Sequence, residues 1–138
     1  MDYKLEVVVV PVSDVDRAKQ FYCDRVGFHL DVDHAQGDYR VVQMTPPGSA
    51  CSITIGTGLV DSAPGSLKGL QLVVADIEAA RADLLSRGVD VSSVQHHDGT
   101  GFAEGRGGDW NSFIFFSDPD GNAWTVQESP TLRAASGF

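Results

Sequence analysis

The sequence predicts an α+β fold made of two β-α-β-β-β repeats, whose strands join in one curved mixed sheet around a groove with the helices outside. Three observations carry this expectation. The first is a hairpin signature from Phe113 to Glu128, where two β-rich runs flank Asp118-Pro119-Asp120-Gly121-Asn122. Proline presets φ at the second position of a type I turn, and glycine takes the left-handed conformation that follows. The second is an internal repeat: VSDVDRA (12–18) returns as VADIEAA (74–80), so Val12, Asp14 and Ala18 recur as Val74, Asp76 and Ala80, with Val15 matched by Ile77. The third is that apolar runs and capped helices follow the same order in both halves. A unit with a single helix cannot cover both faces of its sheet, so two copies are expected to combine.

In chain order, residues 5–12 read as a buried strand with Pro11 near its end. Ser13 or Asp14 then caps a helix whose apolar positions Val15, Ala18, Tyr22 and Val26 recur at three and four, with Gly27 as its stop. Strand patterns follow at Phe28–Asp33 and Tyr39–Met44, and after the PPG turn at 46–48 a fourth covers Cys51–Ile55. The polar connector Thr57–Lys68 separates the halves. Leu70–Val74 is again a strand, Asp76 a cap, and Ile77, Ala80, Leu84 and Gly88 repeat the helical spacing. Strands at Val89–Gln95, Ser112–Ser117 and Ala123–Gln127 complete the second copy. The segment His97–Trp110, with five glycines, is expected to be a mobile loop beside the groove. One domain over 1–138 results, with repeat 1 about 4–56, repeat 2 about 69–128 and a tail at 129–138.

If Asp118 and Asn122 close the hairpin, Phe115 lies opposite Thr125 and Phe113 opposite Gln127. The two-residue strand period then places these four on one face and Ile114, Phe116, Trp124 and Val126 on the other. The same phase adds Val7 and Val9 from the first strand and Gln71 and Val73 from the fifth. Ser52 and Thr54 join them from the fourth, provided Ile53 and Ile55 face the helices. The expected ligand-binding set is therefore Val7, Val9, Ser52, Thr54, Gln71, Trp110, Phe113, Phe115, Thr125 and Gln127. Such a lining orients a planar molecule by stacking and a few hydrogen bonds.

Composition narrows the function classes. The 138 residues are 42% hydrophobic, enough for a substantial core. A net charge of −9 argues against nucleic acid or anionic lipid as partners, since both bind through basic patches. No apolar run reaches membrane-spanning length and no leader is evident, so a cytoplasmic location is expected. The two cysteines, Cys23 and Cys51, read as free thiols.

The paired units, with PVSDVDRAKQFYCDRVGF, VVADIEAARADLLSRGV and the closing SDPDGNAWTVQE, resemble the vicinal oxygen chelate superfamily of glyoxalases, extradiol dioxygenases and bleomycin-binding proteins, over roughly residues 4–128. In metal-using members the resemblance implies His and Glu ligands at equivalent strand positions. Here those positions carry Val7, Gly69 and Thr125, and CSITI supplies no fourth donor. Valine, glycine and threonine cannot provide imidazole or carboxylate, so no metal ligands and no cofactor are expected. Glu6 and Glu128 lie close to the expected positions, but a one-residue slip turns a strand side chain to the opposite face, so both read as solvated strand-end charges. His29, His34, His96 and His97 read as surface or loop residues.

No nucleophile constellation is present and no catalytic residue is assigned; His97, Glu104 and Asp109 are the nearest candidates for a base. Glu104, Arg106 and Asp109 are also candidates to close over a ligand. The expected function is metal-independent binding of an aromatic or polyketide-like metabolite or antibiotic, by sequestration or by cofactor-free turnover, in a homodimer. The rival expectation is a divalent-metal lyase, isomerase or dioxygenase of the same superfamily.

Overall fold

The computed structural model, which describes residues 1–134, has strands and helices in the order expected with two additions, a strand at Phe102–Glu104 and a helix at Pro130–Ala134. The order is β1 (Val7–Val9), α1 (Val15–Gln20), β2 (His29–Gln36), β3 (Tyr39–Thr45), β4 (Ser52–Thr57), β5 (Leu70–Val74), α2 (Ile77–Ser86), β6 (Gln95–His97), β7 (Phe102–Glu104), β8 (Phe113–Ser117), β9 (Ala123–Glu128) and α3 (Pro130–Ala134). The last four residues of the expected tail lie outside the described residues. Two units are present: Met1–Leu67 together with Asp118–Asn122, and Lys68–Ser117 together with the chain from Ala123 onward.

In the first unit the strands are ordered β1-β4-β3-β2, with β1 parallel to β4 and the remaining neighbours antiparallel. Asp14 is the cap of α1, its side chain accepting from the Arg17 N–H at 3.1 Å. Beyond Gln20 the helix widens into a π turn over Phe21–Arg25. Gly27, at φ 87°, then ends it in the left-handed conformation that favours glycine. Ala18 and Tyr22 are buried with Val10, Val42, Met44, Ile53 and Ile55, and α1 packs on β4.

The hairpin turn at 118–122 is part of this first unit. Tyr22 Oη donates to Asp118 Oδ2 at 2.7 Å, and Ser13 Oγ donates to Asp120 Oδ1 at 2.5 Å. Asn122, fully buried, donates from Nδ2 to Pro11 O at 2.8 Å and to Asp118 Oδ2 at 2.7 Å, while its Oδ1 accepts from Leu67 N at 3.0 Å. The DPDGN residues therefore tie the start of α1 and the end of the connector through side chains as well as turning the chain.

The second unit has the order β5-β9-β8-β6-β7, with β5 parallel to β9 and the rest antiparallel. Asp76 caps α2, accepting from Glu78 N and Ala79 N at 3.1 Å each. Ile77 and Leu84 are buried with Ile114, Phe116, Trp124 and Val126, and Phe116 stacks on Trp124 at 5.9 Å.

Two expectations are corrected here. The strand expected at Val89–Gln95 is laddered only over Gln95–His97, although Val89 and Val91 are buried. Ser92 stands in for a ladder neighbour: its N–H donates to Phe115 O at 2.9 Å, and its Oγ accepts from Phe115 N at 3.0 Å. The glycine-rich segment after His97 is not a plain loop either, because Phe102–Glu104 pairs with β6 as β7.

Candidate functional site

Strand period and register assemble two rows on one face of the second unit's sheet. Gln71 pairs with Thr125, which pairs with Phe115; Val73 pairs with Gln127, which pairs with Phe113. Intervening residues Ile114, Phe116, Trp124 and Val126 are buried on the helix side. Gln71 is exposed, whereas Thr125, Gln127, Phe113 and Phe115 are half-buried.

The β6–β7 hairpin adds an aromatic ring that the sequence reading missed. Phe102 stands edge-on to Phe113 at 5.6 Å and to Phe115 at 5.0 Å, and those two rings are nearly parallel at 6.4 Å. His97 meets Phe102 edge-on at 5.3 Å. Phe102 nevertheless keeps 51% of its surface exposed. Each such pair contributes about 0.5–1.5 kcal/mol beyond area burial. The pairs hold the cluster in shape while leaving ring faces open to a flat molecule. A signal for Phe102 was present: Asp98-Gly99 between His97 and Phe102 is a hairpin dipeptide.

The hairpin is fixed at both ends. At its tip, Asp98 accepts from Thr100 N, Thr100 Oγ1 and Gly101 N, and these bonds, led by that from the Thr100 backbone, lower its pKa to about 2. At its base, Asn111 imitates a strand, donating from Nδ2 to His97 O at 2.9 Å and accepting from His97 N at 2.8 Å. Gly107 passes so close that an added Cβ would lie 2.3 Å from Asn111 O.

Trp110 is 48% exposed and is the one non-glycine residue at positive φ (62°) among the described residues. That uncommon backbone state aims its carbonyl at Gln127, whose Nε2 donates to it at 2.8 Å. Gln71 Nε2 in turn donates to Gln127 Oε1 at 2.9 Å.

Arg106 and Glu128 have structural partners. Glu128, expected as a solvated strand-end charge, is only 8% exposed. Its carboxylate accepts from Ile77 N at 2.9 Å, at the start of α2, and from Arg106 Nη2 at 2.6 Å and Nη1 at 3.2 Å. A carboxylate there satisfies a helix N–H and complements the helix dipole. Arg106 also reaches Glu78 at 3.2 Å, so its guanidinium is spent on α2 and β9. Of the candidate bases, Glu104 accepts from Ser93 Oγ at 2.8 Å and His97 Nδ1 accepts from Gly99 N at 3.1 Å, while Asp109 is exposed.

In the first unit, Val7 pairs with Ser52 and Val9 with Thr54, giving the expected shared face. Val7 and Val9 are half-buried, but Ser52 and Thr54 are buried. Ser52 Oγ lies 2.6 Å from Thr45 Oγ1, which donates to Asp31. A cavity of about 270 Å³ in this unit is bounded by Pro11, Ser13, Val15, Leu59 and Pro64 and reaches Val9 but not Val7, Ser52 or Thr54.

The residues present do not fit the metal site that the fold resemblance implies. Val7 and Thr125 carry no suitable donor, and Gly69, at φ 87°, precedes β5. Glu6 is exposed and Glu128 is engaged by Arg106 and α2. Among the described residues, no three His, Cys, Asp or Glu side chains converge as a metal site.

The profile of the Glyoxalase/Bleomycin resistance protein/Dioxygenase superfamily matches residues 4–126. TnmS3, an antibiotic binding protein from Streptomyces sp. CB03234, is similar in sequence and structure, with 32% identity, 93% of this chain and 97% of that chain covered and a TM-score of 0.75. A glyoxalase/bleomycin resistance protein from the same organism is 33% identical, with 90% and 99% covered and a TM-score of 0.71. The YetH protein of Bacillus subtilis strain 168 is 28% identical over 127 residues, covering 91% of this chain and 98% of its own.

Proposed function

Starting from a chain that belongs to the glyoxalase/bleomycin resistance protein/dioxygenase superfamily, we propose that it binds an aromatic or polyketide-like metabolite or antibiotic without a metal ion, and acts by sequestering it. The observation that carries this reading is the half-open cluster of Phe102, Phe113 and Phe115 beside the Gln71, Thr125 and Gln127 edge. Large rings there give a flat ligand contact area, while amides and a hydroxyl orient it. TnmS3 being an antibiotic binding protein supports the same ligand class. Sequestration is favoured over turnover because Glu104 is bonded to Ser93 and, among the described residues, no activated nucleophile accompanies the rings.

Titration with a panel of aromatic, polyketide and glycopeptide compounds, followed by Trp110 fluorescence and amide NMR, tests the proposal. A compound that binds should perturb Phe102, Phe113 and Gln71, and Phe102→Ala should weaken it about tenfold, the equivalent of one or two ring contacts. A panel that moves none of these residues refutes it. Elemental analysis of protein purified without chelator separates the rival: a stoichiometric divalent ion would restore the lyase, isomerase or dioxygenase reading. The proposal extends to a cytoplasmic homodimer. Free Cys23 and Cys51 suit a reducing compartment, and a monomer by light scattering would remove the dimer.

A further inference from the structure

We infer that Gln71 Oε1 is a specificity-determining acceptor that selects ligands carrying a hydroxyl or N–H on the edge of their ring system. The inference rests on the aromatic face being the ligand site and adds what that face reads. The direction of the amide chain follows from its fixed end. A backbone carbonyl can only accept, so the group of Gln127 nearest Trp110 O must be the NH2, as its 2.8 Å contact has it. Gln127 Oε1 then points the other way and needs a donor, which Gln71 Nε2 supplies at 2.9 Å. The flip of Gln71 is set in turn, leaving its Oε1 as the terminal acceptor, with no further partner for it among the described residues.

Position makes this acceptor usable. Gln71 is exposed and shares a sheet row with Thr125 and Phe115, so a molecule lying against the Phe115 ring brings its edge to the Gln71 amide. The Thr125 hydroxyl rotates to serve either polarity and cannot discriminate. Each amide also retains one N–H for ligand carbonyls. Of the two linked amides, the carbonyl left open among the described residues is that of Gln71, and its orientation is set through Gln127 by the left-handed Trp110 backbone, 17 residues before Gln127.

The test uses two probes of one ring system, 2-naphthol and 2-methoxynaphthalene, titrated against the full chain by NMR. Wild type should prefer the naphthol by about three- to tenfold, the range of one net hydrogen bond. Gln71→Met should bring the ratio to about one. Gln127→Met should reduce it too although Gln71 remains, because its amide is then free to turn over. A merely structural role for Gln127 would weaken both probes equally. Equal wild-type affinity for the two probes, or an unchanged ratio in Gln71→Met, overturns the assignment of Gln71 and leaves the aromatic site standing. Failure of both probes to bind overturns the aromatic site and this inference with it.

Discussion

Replacing Asn122 by aspartate changes one NH2 group into an oxygen and should cost the protein several kcal/mol. Asn122 is fully buried and makes three side-chain hydrogen bonds. The substitution preserves the acceptor for Leu67 N but removes both Nδ2 hydrogens, so of the contacts with Pro11 O, at 2.8 Å, and Asp118 Oδ2, at 2.7 Å, at most one can keep a hydrogen, on a carboxyl proton held at that cost. Leaving a buried partner unsatisfied costs about 1–3 kcal/mol, and more where a charge is involved, so about 3–5 kcal/mol is expected at pH 7. Asn122→Ala abandons all three bonds yet introduces no charge, and should cost about 3 kcal/mol.

The pH dependence separates the two variants. Two carboxylates this close cannot both ionise, so the folded Asn122→Asp protein holds a proton that the unfolded chain releases above a pH of about 4. The native state then binds more protons than the unfolded one, and the variant gains stability relative to wild type as pH falls. Urea denaturation at pH 7 and pH 4, followed by tryptophan fluorescence, measures both effects. A loss below about 1 kcal/mol at pH 7, or a loss no smaller at pH 4, would refute the reasoning.

Glu128→Gln should destabilise by about 1–3 kcal/mol in the same assay, reduced from a fully buried pair because Arg106 remains partly exposed; amides around Ile77 and Arg106 should shift together. Gly65→Ala should cost about 2–4 kcal/mol or prevent folding, since φ is +79° and the new Cβ would meet Asp120 O at 2.0 Å. The carboxyl of Asp33, held down to about 2 first by Arg40 and then by Lys19, contributes stability that is present above the ordinary carboxylate pKa and lost as pH falls through about 2. Asp33→Asn should therefore lower stability at pH 7 and have little effect at pH 2, as acid titration of both proteins would report.

Both helix caps and the β8–β9 register were readable because each depends on neighbours a few residues away, and the duplication because one local pattern, 12–18, returns at 74–80. Asp14 and Asp76 cap their helices through the next turn of chain, and the Asp118–Asn122 turn brings Phe115 to Thr125 by strand period alone. Phe102 was not read because five glycines suggested an unstructured loop, whereas two of its supports come from Asn111 and from Phe113 and Phe115. Glu128 was misread as solvated for the same kind of reason. Its partners, Ile77 N and Arg106, are distant in sequence, and alternation along β9 says nothing of what caps the neighbouring helix.

By itself, the sequence determined which side chains share a strand face, where helices start and stop, and that valine, glycine and threonine, which stand where the family resemblance implies metal ligands, carry no imidazole or carboxylate. These follow from backbone period and from the chemistry of single residues. Tertiary structure alone decided that Phe102 joins Phe113 and Phe115, that Arg106 neutralises a buried Glu128, and that the Trp110 carbonyl orients Gln127 and Gln71. Burial, charge pairing and hydrogen-bond direction depend on groups brought together through space, and no local pattern of residues encodes them.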